Sequence, residues 1–338
     1  MPKLSVVMSV YNEPTEWITQ SIDSILNQTF RDFEFIIIND NPEREENESL
    51  LNSYSQKDKR IVVIKNEQNL GLTKSLNIGI NEAKGDYIVR MDADDYSFPE
   101  RFEKQVQFME NHPEIVASGC YARLMNEEGK DIGYSDISTD IKTLKAFIPF
   151  RTPIYHPSAI IRRVIDGEFL QYNESFIYSQ DYELWSRLIE KGIGNIPERL
   201  ISYRISKQQI SSVHKNSMRD LDVQVRECVL KRYYLCDDSE CKRILSLYYC
   251  MAQKSDCRDI SSVLKTVNDK IVRKQEICIP AASKYLLSIY CQYLADHFSL
   301  FIAINKGCAM KNYLHVSSYR SVLLIIKRKI YNGIQKGN

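Results

Sequence analysis

Apolar runs of strand length alternate with amphipathic or polar stretches through the first hundred residues. "LSVVMSVY" opens the series, and Glu13–Gln28 follows with Trp17, Ile18, Ile22, Ile25 and Leu26 at helical spacing. "FEFIIIND" reads as a second strand, followed by a polar helical stretch over Glu45–Gln56. "IVVIKN" is a third strand, Thr73–Ala83 a helix carrying Leu76, Ile78 and Ile80, and "DYIVRMD" a fourth strand. Strands written as continuous Val and Ile runs are buried on both faces, and helical crossovers between them make neighbours parallel. The pattern predicts a doubly wound, Rossmann-like α/β domain around a mostly parallel central sheet.

Beyond Pro99 the spacing predicts a helix up to Asn111, stopped by His112-Pro113, then a strand over "IVASGCYARLM" and a turn at "NEEGKDIG". Residues 136–215 mix short elements with Pro and Tyr and carry no clean period, apart from a helix over Tyr182–Lys191 that ends at Gly192. From about Met218 the pattern is helical to the end. Two regions are expected: a catalytic-type α/β domain over 1–217 and a helical C-terminal extension over 218–338.

Sheets of this kind bind ligands beyond the carboxyl ends of their strands, where the topology changes direction. The residues closing the four strands are Asn12 and Glu13, Asn39 and Asp40, Asn66 and Asn69, and Asp92 and Asp94. All are polar or acidic, and the fold would gather them on one rim. In Asp92-Ala93-Asp94 the alternation of an extended chain puts two carboxylates on one side. Hard divalent cations such as Mg²⁺ or Mn²⁺ favour oxygen ligands, and Mg²⁺ commonly takes one or two carboxylates together with substrate phosphates. The other reading of the same residues is a solvated acidic turn. No glycine-rich dinucleotide fingerprint and no P-loop is present, which disfavours a nicotinamide dehydrogenase and a P-loop NTPase.

A second constellation is "YSQDYELWSRL". Asp181 could cap the helix that follows it, or take a proton from an acceptor hydroxyl as a general base. Glu183 is its rival within the motif, and Trp185 is either core or an apolar face for a sugar ring.

Composition adds boundaries. With 43% hydrophobic and 26% charged residues in 338, the chain is of the soluble globular class, and a net charge of +1 gives no reason to expect nucleic acid as a partner. No secretory signal or membrane-spanning run is visible, so a cytoplasmic location is expected. Eight of nine cysteines fall in the last third without a C-x-x-C pair, as buried thiols would, although a zinc site is the alternative. The stretch Lys306–Asn338 holds seven Lys or Arg and no acid. It would suit peripheral contact with anionic lipid on the inner membrane, or a last helix packed on the domain with a solvated basic face.

Taken in order, "SVVMSVYNE", "FEFIIINDN", "NLGLTKSLNIGINEAKGDYIVRMDADD" and "SQDYELWSRL" resemble glycosyltransferase family 2, over roughly residues 3–215. The resemblance implies the GT-A fold and an inverting transfer from a nucleotide-diphosphate sugar, a UDP-sugar foremost, to a glycan or lipid-linked acceptor in polysaccharide assembly, with Mn²⁺ or Mg²⁺ as cofactor. It further implies that Tyr11, Glu13 and Asp40 hold the nucleoside, and that Asn69, Gly71, Lys74 and Asn77 frame the nucleotide loop. Lys74 would meet a phosphate or be a surface lysine. Asp92 and Asp94 become the metal and diphosphate pair, with Asp95 beside them, and Asp181 the base. His156 would border the acceptor, or be structural. His214 falls where some relatives supply a further metal ligand, and Arg204 would meet a phosphate or a carboxylate. The family's common "DDGS" is replaced by Asn39-Asp40-Asn41-Pro42, and Gln180 stands where a Glu is common. Losing that carboxylate should ease like-charge pressure on Asp181. Rival readings are a nucleotidyltransferase, which would want a glycine-rich phosphate loop, and a catalytically silent sugar-nucleotide-binding protein.

Overall fold

The computed structural model describes residues 1–149, 151–206, 209, 215–234, 236–242 and 245. The chain divides into two compact units, one of Met1–Leu144 with Thr152–Asp222, the other of Lys145–Arg151 with Val223–Asn338. The first carries the sheet. In chain order the described elements begin β1 (Leu4–Val10), α1 (Thr15–Leu26), β2 (Phe33–Asn39), α2 (Glu45–Lys57), β3 (Ile61–Lys65), α3 (Leu72–Glu82) and β4 (Tyr87–Arg90). They continue with β5 (Tyr96–Ser97), α4 (Arg101–Asn111), β6 (Ala117–Met125), β7 (Asp131–Ser135), α5 (Ile141–Phe147) and β8 (Ile160–Arg162). A small hairpin of β9 (Val164–Ile165) and β10 (Glu168–Phe169) precedes α6 (Gln180–Leu188), β11 (Ile193–Arg204) and α7 (Lys215–Tyr234).

The sheet runs β3-β2-β1-β4-β8-β6-β11-β5, with β7 also paired to β6. Its first half is parallel and in register, Val10 beside Asn39 and Asn39 beside Lys65, so those strands end on one line. Every residue of β1 is buried, as its unbroken apolar run requires. Close packing of α3 on this half depends on Gly79, where a Cβ would lie 2.6 Å from Val7 Cγ1 and 2.7 Å from Ile38 Cδ1.

The second half is mixed. β8 runs antiparallel to both β4 and β6, while β11 returns parallel to β6. A short turn joins β6 to β7, and so short a link allows only an antiparallel partner. The longest strand, β11, lay in the stretch without a readable period. Its sequence "IGNIPERLISYR" is interrupted by Pro197, and the register slips between Ile196 and Arg199. Proline cannot donate to a ladder, so a bulge absorbs it and the alternation is lost at that point.

Of the later cysteines that are described, Cys228 is exposed and Cys236 and Cys241 are buried. Among the described residues no helix is long and apolar enough to cross a membrane. The basic C-terminal stretch and His214 lie outside the described residues.

Candidate active site

One side of the rim is built around Asp40. Its Oδ1 accepts from Asn66 Nδ2 at 2.7 Å and the Leu70 N–H at 2.8 Å, and its Oδ2 from the Gly71 N–H at 3.0 Å. Asp40, 2% exposed, therefore fastens the loop between β3 and α3 to the end of β2. Asn69 Oδ1 accepts from the same Gly71 N–H at 2.9 Å. Gly71 takes φ 83° at the start of α3, a conformation that side chains disfavour. Tyr11 is 41% exposed at the lip; its N–H donates to Glu13 Oε2 at 2.8 Å and its carbonyl accepts from Asn47 Nδ2 at 2.8 Å. Burial, with help from the charge of Asp92, pushes the Glu13 carboxyl up. Lys74 stands exposed on the first turn of α3, with no ion-pair partner among the described residues.

Asn77 belongs elsewhere. It is buried, and its amide bonds both backbone groups of Tyr172: Nδ2 to the carbonyl at 3.0 Å and Oδ1 from the N–H at 2.8 Å. Thr73 Oγ1 reaches the Phe176 carbonyl at 2.9 Å. Helix α3 is thus tied to the segment that leads into α6.

The acidic turn follows β4. Ligand oxygens of Asp92, Asp94 and Asp95 lie within 4.8 Å of one another. Asp95 is fully buried; its Oδ1 accepts from the Arg204 N–H at 2.7 Å, and its Oδ2 has no hydrogen-bond partner. Burial, then the neighbouring charges of Asp92 and Glu13, push the Asp94 carboxyl up to about 7. Asp95 is pushed well up by burial and by Asp94 and Asp92. Like charges crowded in a buried place, with one oxygen left over, are what a hard cation would relieve, and all the donors are oxygens.

The turn is held from behind by Arg204, which is 1% exposed. Its Nε donates to the Asp94 carbonyl at 2.7 Å, Nη1 to the Glu127 carbonyl at 3.0 Å, and Nη2 to Gln20 Oε1 at 3.0 Å. Its guanidinium lies over the Trp17 ring, 4.6 Å from the centroid. Every arm is engaged by protein, so Arg204 is a buckle across α1, the acidic turn and the β6–β7 turn rather than a free phosphate contact.

On the other side of the rim, α6 begins at Gln180, two residues earlier than its periodicity predicts. Ser179, at φ 59°, occupies the cap, and Asp181 sits inside the first turn. Burial, and then the charge of Asp222 on α7, push the Asp181 carboxyl up to about 6, while first-turn N–H groups pull it down. The charge of Asp92 also registers there, so this carboxyl and the acidic turn share one region. Gln180 adds no charge beside Asp181; the like-charge pressure on it comes from Asp222 on another helix and from Asp92. Glu183 is 8% exposed; its Oε1 accepts from Arg187 Nε at 2.8 Å within its own helix, and its Oε2 is buried with no hydrogen-bond partner. Trp185 is wholly buried core. His156 is buried against it, with Nε2 2.8 Å from the Tyr172 hydroxyl. Burial holds His156 well below its usual value, hence neutral.

Sequence reasoning missed two residues of this region. Tyr203 stands where the charges of Asp95, Asp92, Asp94 and Asp181 all push its phenol upward, after burial itself, and its ring leans on Tyr155 at 5.7 Å. Nothing in an unreadable strand pointed to it. Arg90 is 2% exposed and ion-paired with Asp92. Its signal was present: a charge inside an apolar strand must have a partner.

Comparison with known proteins places this arrangement. A profile of Glycosyl transferase family 2 matches residues 5–169, which include Asp92 and Asp94 and stop short of Asp181. An uncharacterized glycosyltransferase of Methanocaldococcus jannaschii is 39% identical over 222 residues, covering 64% of this chain and 76% of its own. The Escherichia coli O-antigen biosynthesis glycosyltransferase WbnJ is 33% identical over 235 residues, covering 68% of this chain and 90% of its own. Among solved structures, S. aureus TarS (residues 1–349, with UDP-GlcNAc) superposes with a TM-score of 0.56 at 16% identity, over 94% of this chain and 91% of that one. That likeness, with the mixed sheet and its polar rim, shows the GT-A fold; by sequence the chain belongs to glycosyl transferase family 2.

Proposed function

We propose that this glycosyltransferase inverts the anomeric centre as it moves a sugar from a nucleotide-diphosphate donor, a UDP-sugar foremost, to a hydroxyl of a glycan or lipid-linked acceptor in surface polysaccharide assembly. The observation that carries the reading is the pairing of two unlike acidic systems on one rim. One is a crowded trio with an unsatisfied oxygen, and the other a single carboxyl poised at about 6. Asp181 accepts the proton of the acceptor hydroxyl as its oxygen attacks the anomeric carbon. The bond from that carbon to the diphosphate breaks on the opposite face, and the electron pair leaves with the diphosphate. Asp92, Asp94 and Asp95 are the residues that would hold Mn²⁺ or Mg²⁺. Such an ion, when bound, offsets negative charge on the departing diphosphate. Tyr11 and Glu13, after β1, would face the nucleotide from one side, and Asn69 and Lys74, in and just beyond the loop fastened by Asp40, from the other.

The names of relatives support the setting. AmsE of Erwinia amylovora, 31% identical, is an amylovoran biosynthesis enzyme, and WbnJ acts in O-antigen biosynthesis. A mannosyltransferase from Pyrobaculum calidifontis, of similar fold with a TM-score of 0.50, was solved with GDP-Man and Mn²⁺. For this chain a cytoplasmic site of action, at the membrane face where lipid-linked acceptors lie, follows from the same reading.

One experiment tests it. Thermal shift against a panel of nucleotide sugars, with and without Mn²⁺, should single out a donor whose stabilisation needs the ion. With that donor, Asp181→Asn should retain binding and lose transfer by about a thousandfold or more, within the range for removing a base that acts as part of a unit. Parent-like transfer by Asp181→Asn would remove the base from the proposal.

A further inference from the structure

A full positive charge is built into the floor of the acidic turn. Arg90, the last residue of β4, is 2% exposed, and arginine keeps its proton inside proteins. Its Nη2 pairs with Asp92 Oδ1, its Nη1 reaches the Val7 carbonyl at 3.4 Å, and its Nε has no hydrogen-bond partner. The backbone from which it springs is fixed, because the Arg90 N–H donates to the Ala159 carbonyl at 2.9 Å and Arg101 Nη2 donates to the Arg90 carbonyl at 2.8 Å. Arg204 differs in kind: through its guanidinium it grips the Asp94 carbonyl, and leaves the side-chain oxygens of Asp92 and Asp94 to other partners. Arg90 instead occupies an oxygen that a cation would use.

We propose that Arg90 is a positioning residue acting as a resident counter-ion, which keeps the acidic turn folded before a divalent cation arrives and competes with that cation for Asp92. The inference rests on reading Asp92, Asp94 and Asp95 as the cation site. Two consequences of opposite sign follow. Without an ion, removing the charge leaves three crowded carboxylates facing one another, and the fold weakens. With an ion, removal frees Asp92 and abolishes repulsion between guanidinium and cation, so the ion binds more tightly.

The test uses the full chain and Mn²⁺ alone, followed by calorimetry and thermal shift, in the parent, Arg90→Gln and Arg90→Lys. Glutamine drops the charge and ends near the position of the arginine Nε, two bonds short of Nη2; lysine keeps the charge. Arg90→Gln should melt below the parent without Mn²⁺, gain more on adding it, and bind it about tenfold more tightly, a conservative share of the Coulomb energy at this range. Arg90→Lys should bind it like the parent. Unchanged or weaker Mn²⁺ binding by Arg90→Gln overturns the inference, since Arg90 would then orient Asp92 rather than compete for it. If Arg90→Gln fails to fold alone, recovery of folding in graded Mn²⁺ supports the inference and indifference to Mn²⁺ overturns it. Absence of Mn²⁺ uptake by the parent would be a different failure, that of the cation site itself.

Discussion

Asp181 makes a prediction in which stability and activity part company. Its carboxyl is pushed up to about 6, first by burial and then by Asp222, so below that pH it carries the proton it would need to accept. Transfer should fall about tenfold per pH unit on the acid side of 6 and level off above it. Asp222→Asn removes one of the groups holding the value up, and should move that acid limb to lower pH in a profile of kcat/KM. Stability runs the other way. A folded-state value above the unfolded one means the protonated form favours the fold: the contribution is complete below about 4 and is lost as pH rises through about 6. Asp181→Asn should therefore gain about 1–3 kcal/mol over the parent at pH 8 and nothing at pH 4, as chemical denaturation would report. A residue present only for packing would lose stability on substitution. Sequence alone left Asp181 between cap and base because both roles want an acid at a helix start; the Asp222 charge that tunes it comes from a distant segment and has no local signature.

At the scale of elements, the parallel half of the sheet was legible almost residue by residue, since doubly buried strands leave continuous apolar runs and their helices leave a period. The limits found for α2, Glu45–Lys57, and α3, Leu72–Glu82, fall within a residue of the predicted ones. β11 escaped because Pro197 and its bulge break the alternation on which strand recognition rests. The cost of missing it was functional, because that strand ends in Tyr203, which the sequence did not single out, and in Arg204, whose partner it left open. With Arg204 buckled to the Asp94 carbonyl, Arg204→Gln should leave most of the sheet folded but free the acidic turn. Loss of a buried guanidinium with several bonds should lower stability by about 3 kcal/mol or more. Mn²⁺ affinity should fall, opposite in direction to the effect expected at Arg90, and calorimetry on the two variants would separate a buckle from a competitor.

Seen whole, the rim was predictable from topology, since parallel strands joined by helical crossovers all point their carboxyl ends the same way. What no strand pattern could foretell is the strut from α3 to the segment before α6, made by Asn77 to Tyr172 and Thr73 to Phe176 across about a hundred residues of chain. Side-chain bonds to a distant backbone obey no period. On the proposed reading the strut ties the donor side to the segment that leads into the base. A chimera that borrows a relative's residues 66–77 alone would set a foreign helix against native carbonyls and disturb the base while altering only donor choice. Exchange of 66–181 together carries the matched pair and should keep helix and distant backbone in their native contact.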